Sequence, residues 1–244
     1  MDVIGHTILM TGGATGIGFA LAERFLEAGN EVVICGRRAD KLDEARAKHG
    51  ALHARVCDVS DPAQRGELVE WAFREFAKLD VLVNNAGMQL RLKLAESPDW
   101  QSMHQELATN LEAHIHLATL SIPHLVKQQR PVIVNVTSGL AFVPRAAVPV
   151  YCATKAAMRS FTLSLRHQLA ATPIEVVEII PPAVDTDLGG AGLHTWGVPL
   201  PEFVDAAFAQ LREGKREVVY GFSADGIRAS AEQREAIFER MNSD

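Results

Sequence analysis

An α/β fold, a doubly wound parallel sheet of roughly seven strands flanked by helices, is what this sequence predicts, and three observations carry the prediction. An apolar β-type run leads into a glycine-rich turn and then an amphipathic helical pattern, beginning at HTILMTGGATGIG, residues 6–18. Short β-branched runs alternate with helical patterns along the rest of the chain, at the spacing of right-handed crossovers. The residues that stand out chemically, Gly12, Gly36, Asp58, Asn84 and Ser138, each follow such a run, so they gather at the carboxyl ends of the strands, where open α/β sheets bind ligands.

Thr7, Ile8, Leu9 and Met10 make the first strand, and a helix follows over residues 17–28. Between them, Gly12, Gly16 and Gly18 allow tight turning, close approach of the backbone to a pyrophosphate, and close helix packing; taken alone, the turn is equally an ordinary tight turn. Gly29 and Asn30 stop this helix, and EVVIC, residues 31–35, is a second strand closed by Gly36. A helix over 39–49 stops at Gly50, and a third strand over 51–57 ends at Asp58. Ser60, Asp61 and Pro62 start a helix reaching about Lys78, since proline fits a first helical turn. A fourth strand over 80–84 runs into Asn84-Asn85-Ala86-Gly87.

Helical patterning over 99–129 contains Pro123, which predicts a break or a new segment there. Residues 131–137, apolar almost throughout, read as a buried parallel strand ending at Ser138. The next helix, 149–171, carries Tyr151 and Lys155; a strand over 174–180 follows and Pro181 and Pro182 end it. Residues 184–200 hold four glycines and little periodicity, which suggests a substrate loop. A helix over 201–212, a last strand over 217–220 and an exposed helix over 230–241 complete a single expected domain, residues 1–244.

Composition narrows the function. At 244 residues and 48% hydrophobic the chain can bury an ample core, and no segment approaches the ~20 apolar residues that span a bilayer. MDVIGH carries no basic region before its apolar run and does not read as a secretory signal, so a cytoplasmic location is expected. A net charge of −6 argues against a nucleic-acid partner. Cys35, Cys57 and Cys152 show no CxxC spacing and read as reduced thiols. No histidines stand at HExxH spacing, and His114 and His116 point to different helix faces, so no metal site is expected.

Tyr151 and Lys155 lie four apart on one helix face and can reach one ligand. A nearby ammonium stabilises a phenolate, which turns a weak acid of pKa ~10 into a usable proton donor. Ser138, thirteen residues earlier at a strand end, can hydrogen-bond the same reacting oxygen. TGGATGIG (residues 11–18), NNAG (84–87), Asn110, Ser138 and YCATK (151–155), in this order, resemble the short-chain dehydrogenase/reductase family, a Rossmann-fold family, over roughly residues 6–186. GLAFVP, YCATKAA and PPAVDTDL look like its branch of bacterial oxidoreductases associated by name with D-alanine esterification.

The resemblance implies an NADP-preferring oxidoreductase acting on a small carbonyl or alcohol substrate. Tyr151 would donate a proton to the carbonyl oxygen, Ser138 would position that oxygen, Lys155 would hold the nicotinamide ribose, and Asn110 would anchor a water that relays protons. Gly12, Thr15, Gly16, Ile17, Gly18, Asp58, Val59, Asn85, Ala86, Gly87, Tyr151, Lys155, Val184 and Thr186 would contact the cofactor. Pro182, where the family commonly has glycine, bears on the geometry of Val184 and Thr186. The family also implies a homodimer or homotetramer built on the long helices.

Cofactor choice can be argued from the residues. An NAD enzyme usually places an acid at the end of the second strand, whereas this chain has Gly36, Arg37 and Arg38, which suit a 2′-phosphate and predict NADPH over NADH. Apolar residues near strand ends or in the loop, Met88, Leu90, Leu140, Phe142, Val148, Leu193 and Trp196, hint at an apolar carbonyl compound, with Leu140, Val148, Leu193 and Trp196 as substrate candidates. Two other readings stay open: a dinucleotide-binding sensor without turnover, and reduction of an imine or enoyl bond on the same fold.

Overall fold

The computed structural model describes residues 1–243. Strands β1 (Thr7–Thr11), β2 (Glu31–Gly36), β3 (His53–Val56), β4 (Leu79–Asn84), β5 (Val132–Val136), β6 (Glu175–Ile180) and β7 (Glu217–Val219) form one sheet in the order β3-β2-β1-β4-β5-β6-β7. Every neighbouring pair is parallel. The helices are α1 (Gly16–Glu27), α2 (Ala39–Lys48), α3 (Pro62–Glu75), α4 (Trp100–Leu107), α5 (Ala113–Leu125), α6 (Pro149–Gln168), α7 (Leu200–Arg212), α8 (Phe222–Arg228) and α9 (Ala231–Met241). The strand order reverses between β1 and β4, which opens the crevice where ligands bind in such sheets.

Because helices cover both faces, β1, β4 and β5 are buried at every residue and their apolar character is continuous rather than alternating. Successive side chains still point to opposite faces. Ile8, Met10, Val32 and Ile34 pack with Leu21 and Phe25 of α1 and Phe203 of α7 on one side. Leu9, Val33, Leu82 and Ile133 pack with Leu68 of α3, Leu117 of α5 and Leu165 of α6 on the other.

Three expectations need correction. Pro123 does not break the long helix: it lies inside α5, two residues before the end, where its missing N–H costs a single intrahelical bond. The irregularity lies earlier, at a π-helical turn, Ala108–Glu112, between α4 and α5. α3 stops at Glu75, short of Lys78, because Phe76 turns to meet the Trp71 ring edge-on at 5.6 Å and its carbonyl accepts from the N–H of Leu79 at 2.9 Å. α8 was not foreseen; Gly221, at φ 52°, turns the chain into it.

Residues 184–199 contain no helix among the described residues, and the base of this loop is pinched shut. Asp185 N–H donates to the Val198 carbonyl at 2.8 Å, and Val198 N–H to the Ala183 carbonyl at 2.9 Å. α9 begins with a reciprocal capping box between Ser230 and Gln233 and buries none of its residues. No helix of the described residues is long and apolar enough to cross a membrane.

Candidate active site

The turn after β1 is built to exclude side chains. Gly12 has φ 64°, and a Cβ there would lie 2.8 Å from Ala86 Cα. A Cβ on Gly18 would lie 2.3 Å from the Gly12 carbonyl oxygen, so α1 packs directly on the turn. Gly13, which the sequence reading passed over, is equally constrained: its Cβ would strike Ile34 at 2.4 Å. Thr15 caps α1 by backbone geometry alone, with no side-chain cap bond, which leaves first-turn N–H groups of Gly16, Ile17 and Gly18 facing the crevice.

Beside this turn, β4 delivers Asn85, Ala86 and Gly87. Thr11 Oγ1 accepts from the N–H groups of Asn85 and Ala86, both at 3.0 Å, while the Asn85 amide donates to the carbonyls of Thr11 at 3.0 Å and Gly12 at 3.1 Å. Thr11 thus welds two strand ends together, a role visible only once β1 and β4 are neighbours. Asn110, fully buried in the π-helical turn, is held to the next stretch of chain: its Oδ1 accepts from Met88 N–H at 2.9 Å and its Nδ2 donates to Met88 O at 2.8 Å. Such turns recur at functional sites, and this one exists where Asn110 is turned inward.

Ser138 lies two residues past the end of β5, and its Oγ accepts from Leu140 N–H at 3.1 Å. On α6, the Lys155 ammonium donates to the Val136 carbonyl at 2.9 Å and lies 5.5 Å from the centre of the Tyr151 ring. Burial lowers the Lys155 pKa to about 8. Burial also pushes the Tyr151 phenol above its ordinary range, with the Ser138 hydroxyl acting in the opposite, lowering direction. His114, buried one turn beyond Asn110, donates from Nε2 to the Ala86 carbonyl at 2.8 Å; burial, then the Lys155 charge, depresses its pKa to about 3, so it is neutral.

These groups share one cleft of about 1470 Å³ along the carboxyl ends of the strands. Gly12, Thr15, Gly16, Ile17 and Gly18 line it, as do Arg37, Arg38, Asp58, Val59, Asn85, Ala86 and Gly87. So do Ser138, Tyr151, Lys155, Val184 and Thr186. Asn110 stands behind the wall, reaching it through Met88. Leu140, Val148, Leu193, Trp196, Met88 and Leu90 line the cleft too, Leu140 and Val148 packing beside Tyr151, whereas Phe142 lies outside, its ring under the Arg159 guanidinium. Arg37 and Arg38 are exposed at the cleft rim next to Gly36, and Arg38 donates to Thr15 Oγ1 at 3.2 Å. Asp58 turns inward, accepting from the backbone and hydroxyl of Ser60.

The missing Cβ positions, the unfilled first turn of α1 and the two arginines at the end of β2 together fit a dinucleotide with a 2′-phosphate. A family model described as short chain dehydrogenase matches residues 6–194. The chain belongs to the short-chain dehydrogenase family. It is similar to an uncharacterized oxidoreductase, DltE, of Bacillus subtilis, with 45% identity covering 99% of this chain and 98% of that one. Among solved structures, a short-chain dehydrogenase from Burkholderia cenocepacia in complex with NADP shares the fold, with a TM-score of 0.85, 24% identity and 99% of both chains covered. A short-chain dehydrogenase from Sphingobium yanoikuyae in complex with NADPH aligns with a TM-score of 0.80 at 27% identity, over 97% of this chain and 94% of that one. The short-chain dehydrogenase assignment makes the protein an oxidoreductase and accounts for the order of its motifs along the sheet.

Proposed function

We propose that the protein is an NADPH-dependent carbonyl reductase that also oxidises the corresponding alcohol. The observation that carries this reading is that Ser138, Tyr151 and Lys155 line the same cleft, with the apolar side chains of Leu140 and Val148 packed beside Tyr151. NADPH, when bound, supplies the hydride; the protein supplies position, exclusion of water and the proton. Gly12, Thr15, Gly16, Ile17 and Gly18 would cradle its phosphates, with Asp58, Val59, Asn85, Ala86 and Gly87 along its length and Val184 and Thr186 at the far end. Arg37 and Arg38, free of any carboxylate partner among the described residues, would take the 2′-phosphate. The NADPH complex of the Sphingobium relative supports the same choice.

Tyr151 then acts as proton donor. Burial raises its pKa and so keeps the phenol protonated at neutral pH, the state a reduction requires. The Lys155 ammonium, mostly charged below pH 8, stabilises the phenolate left behind, and the Ser138 hydroxyl orients the substrate oxygen. Asn110 holds the chain at Met88, and in this reading anchors the water through which Tyr151 is reprotonated.

A panel of ketones, imines and enones offered with NADPH tests the reaction class. Loss of NADPH absorbance on ketones is expected; consumption on none of them, with NADPH still bound, would favour a sensor. Assembly as a homodimer or homotetramer through α4, α5 and α6 belongs to this reading, supported by exposed Trp100 and Leu163 on those helices. Sedimentation velocity at low concentration should show the oligomer, and a purely monomeric species would remove it.

A further inference from the structure

Glu106 is the one carboxylate of α4 that points away from water. It is fully buried, its Oε1 accepts from Leu90 N–H at 3.1 Å, and its Oε2 has no hydrogen-bond partner. Nothing in the proton path described above uses it. A buried carboxyl with an orphaned oxygen is costly unless some other demand retains it.

Two features say what that demand is. Glu106 and Asn110 lie one helical turn apart, and they grip alternate residues of a single extended stretch: Asn110 holds both backbone groups of Met88, and Glu106 holds Leu90. Two residues on, Leu92 N–H donates to the Ala147 carbonyl at 2.9 Å, on the loop that enters α6. Residues 88–92 are therefore fixed at every second position, and Met88, Gln89, Leu90 and Arg91 form a wall of the acceptor end of the cleft. The second feature is electrostatic. From α6, the Tyr151 phenol and the Cys152 thiol both feel the Glu106 charge, and among the described residues no lysine, arginine or histidine pairs with it. From the 88–92 stretch only the Leu90 N–H faces it as a donor.

We propose that Glu106 is a positioning residue of the acceptor site, which holds the Leu90 wall and, by switching between neutral and charged forms, gates proton delivery from Tyr151. The neutral acid leaves the surroundings of Tyr151 uncharged. The carboxylate places a second negative charge near the phenolate that proton donation creates, and so opposes it. Burial raises the Glu106 pKa to about 7, which puts the change of state in the working range of pH. The proton budget is closed: Tyr151 gives its hydroxyl proton to the substrate oxygen, and Glu106 exchanges only its own with solvent. The inference rests on the carbonyl-reductase reading for its effect on turnover, but not for the titration itself.

Both parts can be measured. In ¹³C NMR of protein labelled at the glutamate carboxyls, the resonance missing from Glu106→Gln is expected to titrate near pH 7 in the wild type; a midpoint in the ordinary carboxylate range overturns the proposal. In NADPH-dependent reduction of the diketone benzil, wild-type kcat is expected to fall as pH rises through 7. Glu106→Gln keeps an acceptor for Leu90 but cannot ionise, so the fall should move upward by about half a pH unit or more with KM little changed. An unchanged profile overturns the proposal, because a merely structural role would not tie the profile to the charge. Glu106→Asp retains a titrating carboxyl and should retain a fall with a displaced midpoint; if Glu106→Gln does not fold, an undisplaced midpoint in Glu106→Asp overturns the proposal instead. A carboxyl titrating near pH 7 in an enzyme that does not reduce benzil counts against the carbonyl reading alone.

Discussion

Tyr151 and Lys155, the proton donor and its neighbour in the proposed reading, illustrate what burial does to ionisable side chains. Desolvation penalises both charged forms, so the phenol holds its proton more tightly and the ammonium less tightly than in water. Their four-residue spacing was legible, because a helix places such residues on one face whatever surrounds it. Their burial was not, since it depends on β5 supplying the Val136 carbonyl and on the loop before α6. The same division holds at the cofactor end. Gly36, Arg37 and Arg38 are readable as a place without a carboxylate, and Arg37→Asp is expected to lower kcat/KM for NADPH roughly ten- to a hundredfold, the worth of about 1.5–3 kcal/mol for a charged hydrogen bond, while improving use of NADH. Steady-state kinetics with both cofactors checks this; an unchanged NADPH constant would remove the 2′-phosphate from Arg37. Glu106 shows what single residues conceal: a glutamate in a polar-looking helix gives no sign in the sequence that its side chain is buried.

Among the elements, the turn between β1 and α1 and the π-helical turn between α4 and α5 set the two ends of the site. The first was readable because its demands are steric and local: Gly18 must let α1 approach the Gly12 carbonyl. Gly18→Ala would force a Cβ to 2.3 Å from that oxygen, so we expect a loss of about 1–3 kcal/mol in stability and a larger loss of NADPH binding, measured by urea unfolding and by fluorescence titration. A variant that binds NADPH as the wild type does would show that the turn is not the phosphate cradle. The π-helical turn was invisible, and Pro123 drew the expected break to the wrong place, because the true irregularity answers to Met88, a residue 22 positions away. Likewise α8 follows from the φ of Gly221 and the fit of Gly139 against Ser223 rather than from periodicity.

Over the whole molecule, strand order does the remaining work. Placing β1 beside β4 brings the glycine turn against Asn85 and Ala86, and placing β5 next brings Ser138 and α6 to the same crevice, so residues spread from 12 to 196 line one cleft. Alternation of strands and helices made this sheet predictable, since crossovers of one hand leave few topologies. What the acceptor end admits was not predictable, because the 184–199 loop has its shape from the pinch at Val184 and Val198 and from contacts made only in the folded chain. In the proposed reading the cleft joins a binding half, built on β1 and β2, to a chemical half, built on β5 and α6, and one substitution separates them. Tyr151→Phe removes a single hydroxyl from the chemical half and leaves the glycine turn and both arginines in place. With NADPH affinity titrated by fluorescence and turnover followed on a ketone, the variant should bind NADPH within about threefold of the wild type and lose about 10²–10⁴-fold in kcat, the worth of a general acid. Full turnover in Tyr151→Phe would contradict the account.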